Sequence, residues 1–477
     1  MWQPVFMISG FFISIMGLAM LFPAAFDIYQ THQNWSNFIT SAIVSCFIGL
    51  SLFLANNNRI KNITLQQGYL LTAIIWLSGT FLSSLPFIMY GSSFADALFE
   101  AASGITTTGA TIFPDVEALP RSLLFWRALL SALGGVGIVI FAIALLPFLG
   151  IGGMQIFQRE NSEANEKFLP KISYIAKRII LVYVSLQVIC FCSLKLAGMN
   201  WFDALCHTFT TVATGGFSTK NTSIAFFKSE KIEWIITFFM FISAIPLTFY
   251  HSLLATKSIH SLRTHQVATF IKVLLVYISF MTCWLLYQGT YNFSDALRYA
   301  SFNIVSIVTS TGFASSNYLE WGAFASSAFI LFALTGGCTG STSGSIKIYR
   351  WQLLLAQIKR AFIMTTEPNR MVPLKVGNYI VSGSVASSVF IFFSAYVLSV
   401  IVLTLCVALT GMDFPIAFSA VISCLTNSGP GIVPLIGPEG NYSSLSDTVK
   451  YILIFAMLLG RLEIMTILVI LTKNFWR

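Results

Sequence analysis

Four short turns rich in glycine and hydroxyl side chains recur along this chain. They read Thr106-Thr107-Thr108-Gly109, Val212-Ala213-Thr214-Gly215, Thr309-Ser310-Thr311-Gly312 and Thr426-Asn427-Ser428-Gly429, and their glycines are 106, 97 and 117 residues apart. Glycine permits backbone angles with which successive carbonyl oxygens can face one axis. Rings of carbonyl oxygens can replace the hydration shell of K⁺. Since the turns contain no basic side chain, they predict a site for a cation rather than for an anion or a phosphate.

A half-length apolar segment precedes each turn and begins near an acidic residue. Three of these segments share the pattern aromatic, variable, aspartate, alanine, leucine, and the fourth is looser. The aspartates are Asp96, Asp203, Asp295 and Asp413. We expect each aspartate to cap a short helix, whose C-terminus carries a partial negative charge and points at the turn. One turn alone would be typical of close helix packing, but four copies favour a shared cation site.

The composition places the chain in a membrane. Its 477 residues are 56% hydrophobic and only 9% charged, with a mean hydropathy of +0.79, whereas soluble domains carry about a quarter charged residues. We predict an all-α integral membrane protein with four half-length helices and ten spanning helices. The spanning helices are predicted at 5–27, 38–55, 67–90, 124–148, 177–197, 231–254, 268–289, 322–360 (interrupted), 385–410 and 448–472. Irregular backbone at membrane depth must be buried in protein or face water, so the four turns should share one central cavity.

The spacing of the turns divides the chain into repeats. A period near 100 residues fits one helix, a half-length helix with its turn, and a second helix. We predict two extra N-terminal transmembrane helices in residues 1–60, followed by four pore repeats. The repeats are predicted at 61–155, 156–260, 261–375 (with an interrupted second helix) and 376–477.

The basic residues indicate an orientation. The net charge is +9, and most of the 27 lysines and arginines lie in short connections on one side of the predicted helices. Because positively charged connections stay in the cytoplasm, we predict that both termini are cytoplasmic. This placement explains the charge without a nucleic-acid partner, and we expect none. The basic stretch Lys347–Lys375 could also bind a protein partner or anionic membrane lipids, although the orientation rule accounts for it too.

Two features lie on the inner side of the predicted turns. The segment between Leu334 and Lys347 is rich in glycine and hydroxyl residues, which predicts a break near mid-membrane rather than a tolerated kink. The second feature is Arg461, near the middle of the last predicted helix, where a guanidinium costs about 2.5–3.5 kcal/mol on insertion scales. It must therefore face a polar place. Our hypothesis is that Arg461 is an electrostatic barrier just inside the turns; a structural role, hydrogen bonding to half-helix carbonyls, is the alternative.

The four turns, the broken helix at 335–347 and Gly460-Arg461-Leu462-Glu463 resemble the Trk/Ktr/HKT superfamily of potassium transporters, closest to its TrkH branch. The resemblance implies four K⁺-channel-like helix–pore-helix–helix repeats around one pore in a bacterial inner membrane. It also implies a homodimer and a cytosolic, TrkA-like nucleotide-binding ring. We expect the nucleotide only on that partner, with no covalently bound cofactor and K⁺ as the transported ion.

The resemblance also assigns residues. As the selectivity filter it implies Thr107, Thr108, Gly109, Ala213, Thr214, Gly215, Ser310, Thr311, Gly312, Asn427, Ser428 and Gly429. As gating residues, on a loop that obstructs the pore and moves, it implies Gly336, Gly337, Gly340, Ser341 and Gly344; we add Arg461, in the last predicted helix, by the electrostatic hypothesis. A glycine rather than a serine at position 109 accompanies K⁺ preference in this superfamily. The fourth turn departs from the Thr-rich pattern through Asn427 and Ser428, so we expect it to be the odd quadrant.

Three functions stay open from the residues. The first is K⁺ uptake through a channel-like pore, the second is K⁺ symport coupled to H⁺ or Na⁺, and the third is a membrane scaffold without transport. Coupled carriers usually have inverted repeats and ionisable sites at mid-membrane, whereas these repeats run parallel and Arg461 is the one obvious charge there, so the passive pore is favoured. No Walker sequence, dinucleotide fingerprint or nucleophile–base pair stands out, and we expect no enzymatic activity. His207 fits a buried histidine better than a proton relay.

Overall fold

A computed structural model describes residues 2–31, 34–56, 64–144, 168–250, 265–377 and 379–476 of the chain. The N-terminal helices are α1 (Gln3–Ala19), α2 (Leu21–Tyr29) and α3 (Trp35–Ala55). The first repeat contains α4 (Leu65–Ser83), α5 (Leu85–Tyr90), α6 (Phe94–Ile105) and α7 (Arg121–Ala144). The second contains α8 (Phe168–Leu196), α9 (Trp201–Val212) and α10 (Glu230–Ser243).

The two remaining repeats follow the same plan. The third contains α11 (His265–Gln288), α12 (Phe293–Val308), α13 (Ala323–Leu334) and α14 (Ile348–Thr366). The fourth contains α15 (Gly383–Ala408), α16 (Phe414–Thr426), α17 (Asp447–Arg461) and α18 (Ile464–Ile470). Between them lies a small antiparallel pair, β1 (Lys375–Val376) with β2 (Tyr379–Ile380). The helix–half-helix–helix plan is therefore confirmed in all four repeats. The half-length helices are α6, α9, α12 and α16.

The spanning helices agree with the prediction except at 231–254, whose last four residues lie outside the described residues, and at 448–472. Seven helical stretches of the described chain are long and apolar enough to cross a membrane, or eight if α17 and α18 count as one bent span. The described helix α10 has only 14 residues. The predicted interruption is present, because α13 ends at Leu334 and α14 begins at Ile348. The prediction of a continuous helix over 448–472 is wrong, because the chain bends by 110° between α17 and α18.

Most of the predicted repeat boundaries fall on residues that the structure does not describe. Those after residues 60, 155 and 260 lie outside the described residues, and the one after residue 375 falls within β1. The boundaries therefore stay predictions, while the order of the helices within each repeat is observed.

The half-length helices pack in a closed cycle. The second helix of each repeat packs against the half-length helix of the next repeat: α7 against α9, α10 against α12, α13 against α16, and α17 against α6. The last contact joins the fourth repeat to the first. The four turns that follow the half-length helices are therefore brought around one axis.

The caps of the half-length helices differ from the prediction. The capping residues of α6, α9 and α12 are Ser93, Asn200 and Asn292, whose side chains each accept from the backbone N–H three residues on, at 3.1, 2.9 and 2.9 Å. The aspartates predicted as caps lie at that third position, where a negative charge is still favoured by the helix N-terminus. The first residue of α16 follows Asp413, but the Asp413 side chain makes no capping bond.

Two second helices lie unusually close to the half-length helix of their own repeat. A Cβ atom placed on Gly134 of α7 would lie closer than 3.0 Å to the carbonyl oxygen of Ile105, at the end of α6. A Cβ on Gly460 of α17 would lie equally close to the carbonyl oxygen of Leu425 in α16. Only glycine permits these approaches, which fix the half-length helices at their turn ends.

This packing gives a first prediction. Gly134→Ala should lower the thermal stability of the purified protein, because overpacking against backbone costs about 1–3 kcal/mol. The matched control is Gly137→Ala in the same helix, where a Cβ would meet no atom within 4 Å; alanine should be neutral or stabilising there. Thermal melts of the two variants in detergent test this. Equal melting temperatures would contradict the packing argument.

Candidate ion-selective pore

The four turns have one backbone conformation. In each, the first residue with positive φ follows the half-length helix. These residues are Thr107 (54°), Thr214 (53°), Ser310 (55°) and Asn427 (54°). A glycine with positive φ comes two residues later. These glycines are Gly109 (82°), Gly216 (69°), Gly312 (84°) and Gly429 (88°). The residue between them donates its N–H five residues back in every turn, at 2.7–3.0 Å. The repeat seen in the sequence is thus a repeat of backbone geometry.

The turns form a closed ring. A Cβ on Gly109 would lie within 3.0 Å of the carbonyl oxygen of Gly215, and one on Gly216 equally close to that of Thr311. The same holds for Gly312 against the carbonyl oxygen of Ser428, and for Gly429 against that of Thr108. Each turn therefore touches the next, and the fourth touches the first. We call the residues 107–109, 214–216, 310–312 and 427–429 the ring.

The second turn is displaced by one residue from its predicted alignment. The sequence comparison places Gly215 beside Gly109, but φ and the ring contacts put Gly216 at that position and Gly215 at the position of Thr108. Ala213 then lies at the position of Thr106, at the end of its half-length helix. The signal in the sequence was the pair Gly215-Gly216, of which only the second has positive φ. Gly216 is the ring residue that the sequence analysis missed.

By side-chain chemistry the second quadrant differs from the others, in addition to the fourth quadrant that the sequence predicts to be odd. In three turns the hydroxyl at the helix end bonds to the one two residues later. These pairs are Thr106–Thr108 (2.7 Å), Thr309–Thr311 (2.7 Å) and Thr426–Ser428 (2.8 Å). The second turn has Ala213 and Gly215 at these places and so lacks both hydroxyls. In the fourth turn Asn427 also donates to Thr108 Oγ1 at 3.0 Å and to the carbonyl of Met457 at 3.0 Å, which ties it to the first quadrant.

The ring is locally strained. Positive φ is rare for residues with a Cβ, and for a β-branched residue such as Thr107 or Thr214 it is an outlier. Each such residue costs of the order of 1–3 kcal/mol and persists where the surroundings impose it. Here the imposing surroundings are the ring contacts and the helix packing. Strain of this kind clusters at functional sites, which agrees with the ring being the site.

An open cleft lies on one side of the ring, and we call it the outer cleft. Its wall includes the four ring glycines together with Thr111, Arg127, Phe217, Ser218 and Tyr442. In the same wall, Asn221 accepts from the N–H of Val116 at 2.7 Å and donates to Asp115 at 2.9 Å. The latter bond lowers the pKa of the Asp115 carboxyl. These bonds join the loops that leave the first and second turns.

The predicted gating segment crosses the other side of the ring, and we call residues 335–347 the inner loop. Thr342 Oγ1 donates to the carbonyls of Val212 (3.3 Å) and Ser243 (3.2 Å). The Ser345 N–H donates to the carbonyl of Thr426 at 3.0 Å, and the Gly344 N–H donates to Ser310 Oγ. The inner loop is thus hydrogen-bonded to the second, third and fourth repeats directly below the ring.

The glycines and the serine predicted for gating shape the inner loop itself. A Cβ on Gly336 would clash with the carbonyl of Gly344. Glycine at position 336 therefore allows the two ends of the loop to lie close together. Gly337 packs against Ala244, and Gly340 has φ of 84°. Ser341 Oγ donates to the carbonyl of Cys338 at 2.7 Å. These residues are brought together below the ring as expected, on a single compact turn.

Arg461 lies beside the inner loop and is 3% exposed. Its guanidinium donates to the carbonyl of Thr342 at 2.9 Å and to that of Gly134 in α7 at 3.4 Å. The acceptors are therefore a carbonyl of the inner loop and one of α7, and neither belongs to a half-length helix. Glu463 forms an ion pair with Arg350 instead. Glu463 has φ of 58°, at the bend that follows Arg461.

The cavity below the ring is electropositive. Its wall includes Arg461, Lys347, Arg350 and Glu463. The ion pairs of the described residues include Arg350 with Glu463 but neither Arg461 nor Lys347. Lys347 donates to the carbonyl and the hydroxyl of Ser343 in the inner loop. A cation that passed the ring would therefore meet the Arg461 guanidinium, which has no ion-pair partner among the described residues, and the inner loop.

Comparisons with known proteins agree over the whole chain. The family model TrkH, described as a cation transport protein, matches residues 33–476. The Trk system potassium uptake protein TrkH of Halomonas elongata is 36% identical over 481 residues, 98% of each chain. Its namesake in Escherichia coli is 35% identical over 477 residues, also 98% of each chain. The crystal structure of the potassium transporter TrkH from Vibrio parahaemolyticus is 34% identical, with a TM-score of 0.93 over 100% of both chains.

The ring geometry gives a second prediction. If the ring binds K⁺, Gly216→Ala should abolish the stabilisation of the protein by K⁺, because the Cβ would displace the carbonyl of Thr311. A ligand at 100 times its Kd stabilises the folded state by about 2.7 kcal/mol. The measurement compares thermal melts in K⁺ and in Na⁺. The control is Gly198→Ala, which imposes similar strain (φ 97°) where a Cβ meets nothing. A K⁺-specific shift that survives in Gly216→Ala would contradict the assignment of Gly216 to the ring.

Proposed function

The chain belongs to the TrkH family of cation transport proteins, and from this premise we propose that it takes up K⁺ through a pore whose selectivity filter is the ring. The observation that carries the proposal is the closed contact cycle between four glycines and four carbonyl oxygens. The relatives named Trk system potassium uptake proteins support K⁺ as the ion.

The chemistry of the ring suits a dehydrated cation. Backbone carbonyls can replace the hydration shell of K⁺, and the ring has one quadrant from each of the four turns. The four half-length helices end at the ring, and each helix C-terminus carries about half a negative charge. The described ring side chains bear no charge that would repel a cation. Because each glycine contacts the next turn, the quadrants cannot move independently.

The inner loop and Arg461 are proposed as the gate. In the structure they occupy the space directly below the ring, so a conducting state requires the inner loop to leave its partners in the second, third and fourth repeats. Arg461 is a fixed positive charge on the same path and donates to the inner loop. An inside-negative potential drives inward K⁺ movement with about 2.3 kcal/mol per 100 mV. The gate restrains that flow.

We propose that the protein acts in a bacterial inner membrane with both termini in the cytoplasm. Its proposed assembly is a homodimer regulated by a cytosolic, TrkA-like nucleotide-binding ring, and the nucleotide binds that ring. The word "system" in the relatives' names supports a multi-component assembly. The helix α14 follows the inner loop directly and carries Lys359 on its exposed surface. A partner that binds there and moves α14 would therefore also move the inner loop.

The proposal is tested by reconstitution. The full-length protein in planar bilayers, with K⁺ and Na⁺ gradients opposed, should give a current that reverses near the K⁺ equilibrium potential. Protein-free bilayers are the control. A reversal potential displaced by a pH gradient would instead indicate symport. A silent protein, even with its regulatory ring present, would indicate a scaffold.

The role of Arg461 gives a separate prediction. Arg461→Gln removes the charge but keeps a donor for the carbonyl of Thr342, and K⁺ or Rb⁺ uptake should rise about tenfold if the charge adds about 1.4 kcal/mol to the barrier. Arg461→Lys keeps the charge and is the matched control, with uptake near that of the unmodified protein. Lower uptake in Arg461→Gln would mean that the guanidinium supports the pore rather than obstructs it.

A further inference from the structure

A buried polar side chain occupies the same place in three of the four half-length helices. It lies nine residues before the ring glycine, at Glu100 before Gly109, His207 before Gly216 and Asn303 before Gly312. All three side chains are fully buried, with 0% exposure. A polar group without a hydrogen-bond partner is costly in such a place. Because the three side chains occupy equivalent positions, we expect them to have the same structural role.

Each of these side chains holds the segment that leaves the ring. Glu100 accepts from the N–H of Ile112 at 2.9 Å and from Thr111 Oγ1 at 3.1 Å. His207 Nε2 bonds to Ser218 Oγ at 3.0 Å. In the third quadrant, Asn303 donates to Ser315 Oγ at 3.1 Å and accepts from the N–H of the same serine at 3.3 Å. In every case the partner lies two or three residues after the ring glycine.

In the fourth quadrant, other residues hold the segment that leaves the ring. The corresponding position is Ala420, which has no polar group. The neighbouring Ser419 accepts from the N–H of Ile432 at 2.7 Å, and Tyr442 donates to the carbonyl of Gly429 at 2.9 Å. All four quadrants thus tie the chain after the ring to side chains behind it. Of the four quadrants, the first uses a carboxylate and the second an imidazole for this.

An arginine joins the first two quadrants. Arg127 Nε donates to Glu100 Oε1 at 2.6 Å, and Arg127 Nη1 donates to the carbonyl of Ser218 at 3.1 Å. The guanidinium also lies 4.1 Å from the centre of the Phe217 ring. Arg127 and His207 therefore both bond to Ser218, the arginine to its backbone carbonyl and the histidine to its hydroxyl. Phe217 and Ser218 follow the ring directly in the second quadrant, which is the quadrant without the hydroxyl pair.

We propose that Glu100, His207 and Asn303 are positioning residues for ion selectivity, and that the Glu100–Arg127 pair sets the spacing between the first and second quadrants of the ring. The proposal rests on the proposed K⁺ pathway. None of the three positioning side chains is exposed, so they act through the backbone that carries the ring carbonyls. In the second quadrant, which has no hydroxyl pair, Arg127 supplies support from the first quadrant through its bond to the carbonyl of Ser218.

A role in stability alone does not account for the pair. Buried ion pairs often contribute little net stability, because desolvating both charges offsets their attraction. Arg127 also forms part of the wall of the outer cleft, where a bare positive charge would repel an approaching cation. Glu100 compensates that charge, because its carboxylate lies directly against the guanidinium. The pair can therefore brace the ring without an electrostatic cost to cation entry.

The test uses the reconstituted full-length protein and two variants of different chemistry. Glu100→Gln removes the charge at nearly constant shape, and Asn303→Ala removes a neutral clamp without leaving a charge unpaired. Both should lower the K⁺/Na⁺ permeability ratio, measured from reversal potentials, by about tenfold, which corresponds to about 1.4 kcal/mol of discrimination. The matched control is Glu320→Gln, at an exposed acid in the loop after the third turn, which should keep the original ratio.

The outcomes separate the inference from the function on which it rests. Selectivity lost in either variant, with monodisperse protein and an intact Glu320→Gln control, supports positioning. If Glu100→Gln does not fold, Asn303→Ala decides alone. Folded variants that conduct with an unchanged ratio overturn the inference while K⁺ uptake stands. An unmodified protein without K⁺-selective current would overturn the proposed function, and the inference with it.

Discussion

The contact between each ring glycine and the carbonyl oxygen of the next turn is the constraint on which the rest of the structure depends. It leaves no space for a Cβ at Gly109, Gly216, Gly312 or Gly429, and it requires four pieces of irregular backbone to meet at one place. Such backbone cannot face lipid. The surrounding helices therefore enclose the ring, and each second helix packs against the half-length helix of the following repeat. The packing of the helices around the four turns therefore keeps the ring closed.

The two faces of the ring differ in how polar groups are used. On the outer face, the buried groups are satisfied in pairs, as with Glu100 and Arg127, so the charges cancel. On the inner face, Arg461 and Lys347 donate to carbonyls of the inner loop, and the ion pairs of the described residues do not include Arg461. In the proposed pore, this difference would favour a cation at the ring and oppose its exit below. That asymmetry is what a gated pore requires.

The sequence was informative where the signal is local. Four Thr/Gly turns and a glycine-rich break are visible as patterns, and the plan of repeats and the interrupted helix followed from them. The register of the second turn did not, because Gly215 and Gly216 are both glycines and only the neighbouring quadrant decides which one has positive φ. The bend after Arg461 was not predicted, because Gly460 was read as part of a continuous helix. The ion pair of Glu463 with Arg350 joins the bend to another repeat, which no local pattern shows. The link between Glu100 and Ser218 through Arg127 is likewise tertiary.

The central claim is that the ring itself binds K⁺. Anomalous diffraction from crystals of the protein grown in Rb⁺, a K⁺ analogue visible at its absorption edge, tests it most directly. We expect a peak on the axis of the ring, among the carbonyl oxygens of Thr108, Gly215, Thr311 and Ser428, that persists when Na⁺ is present together with Rb⁺. A Rb⁺ peak at another place in the protein, with none at the ring, would contradict it.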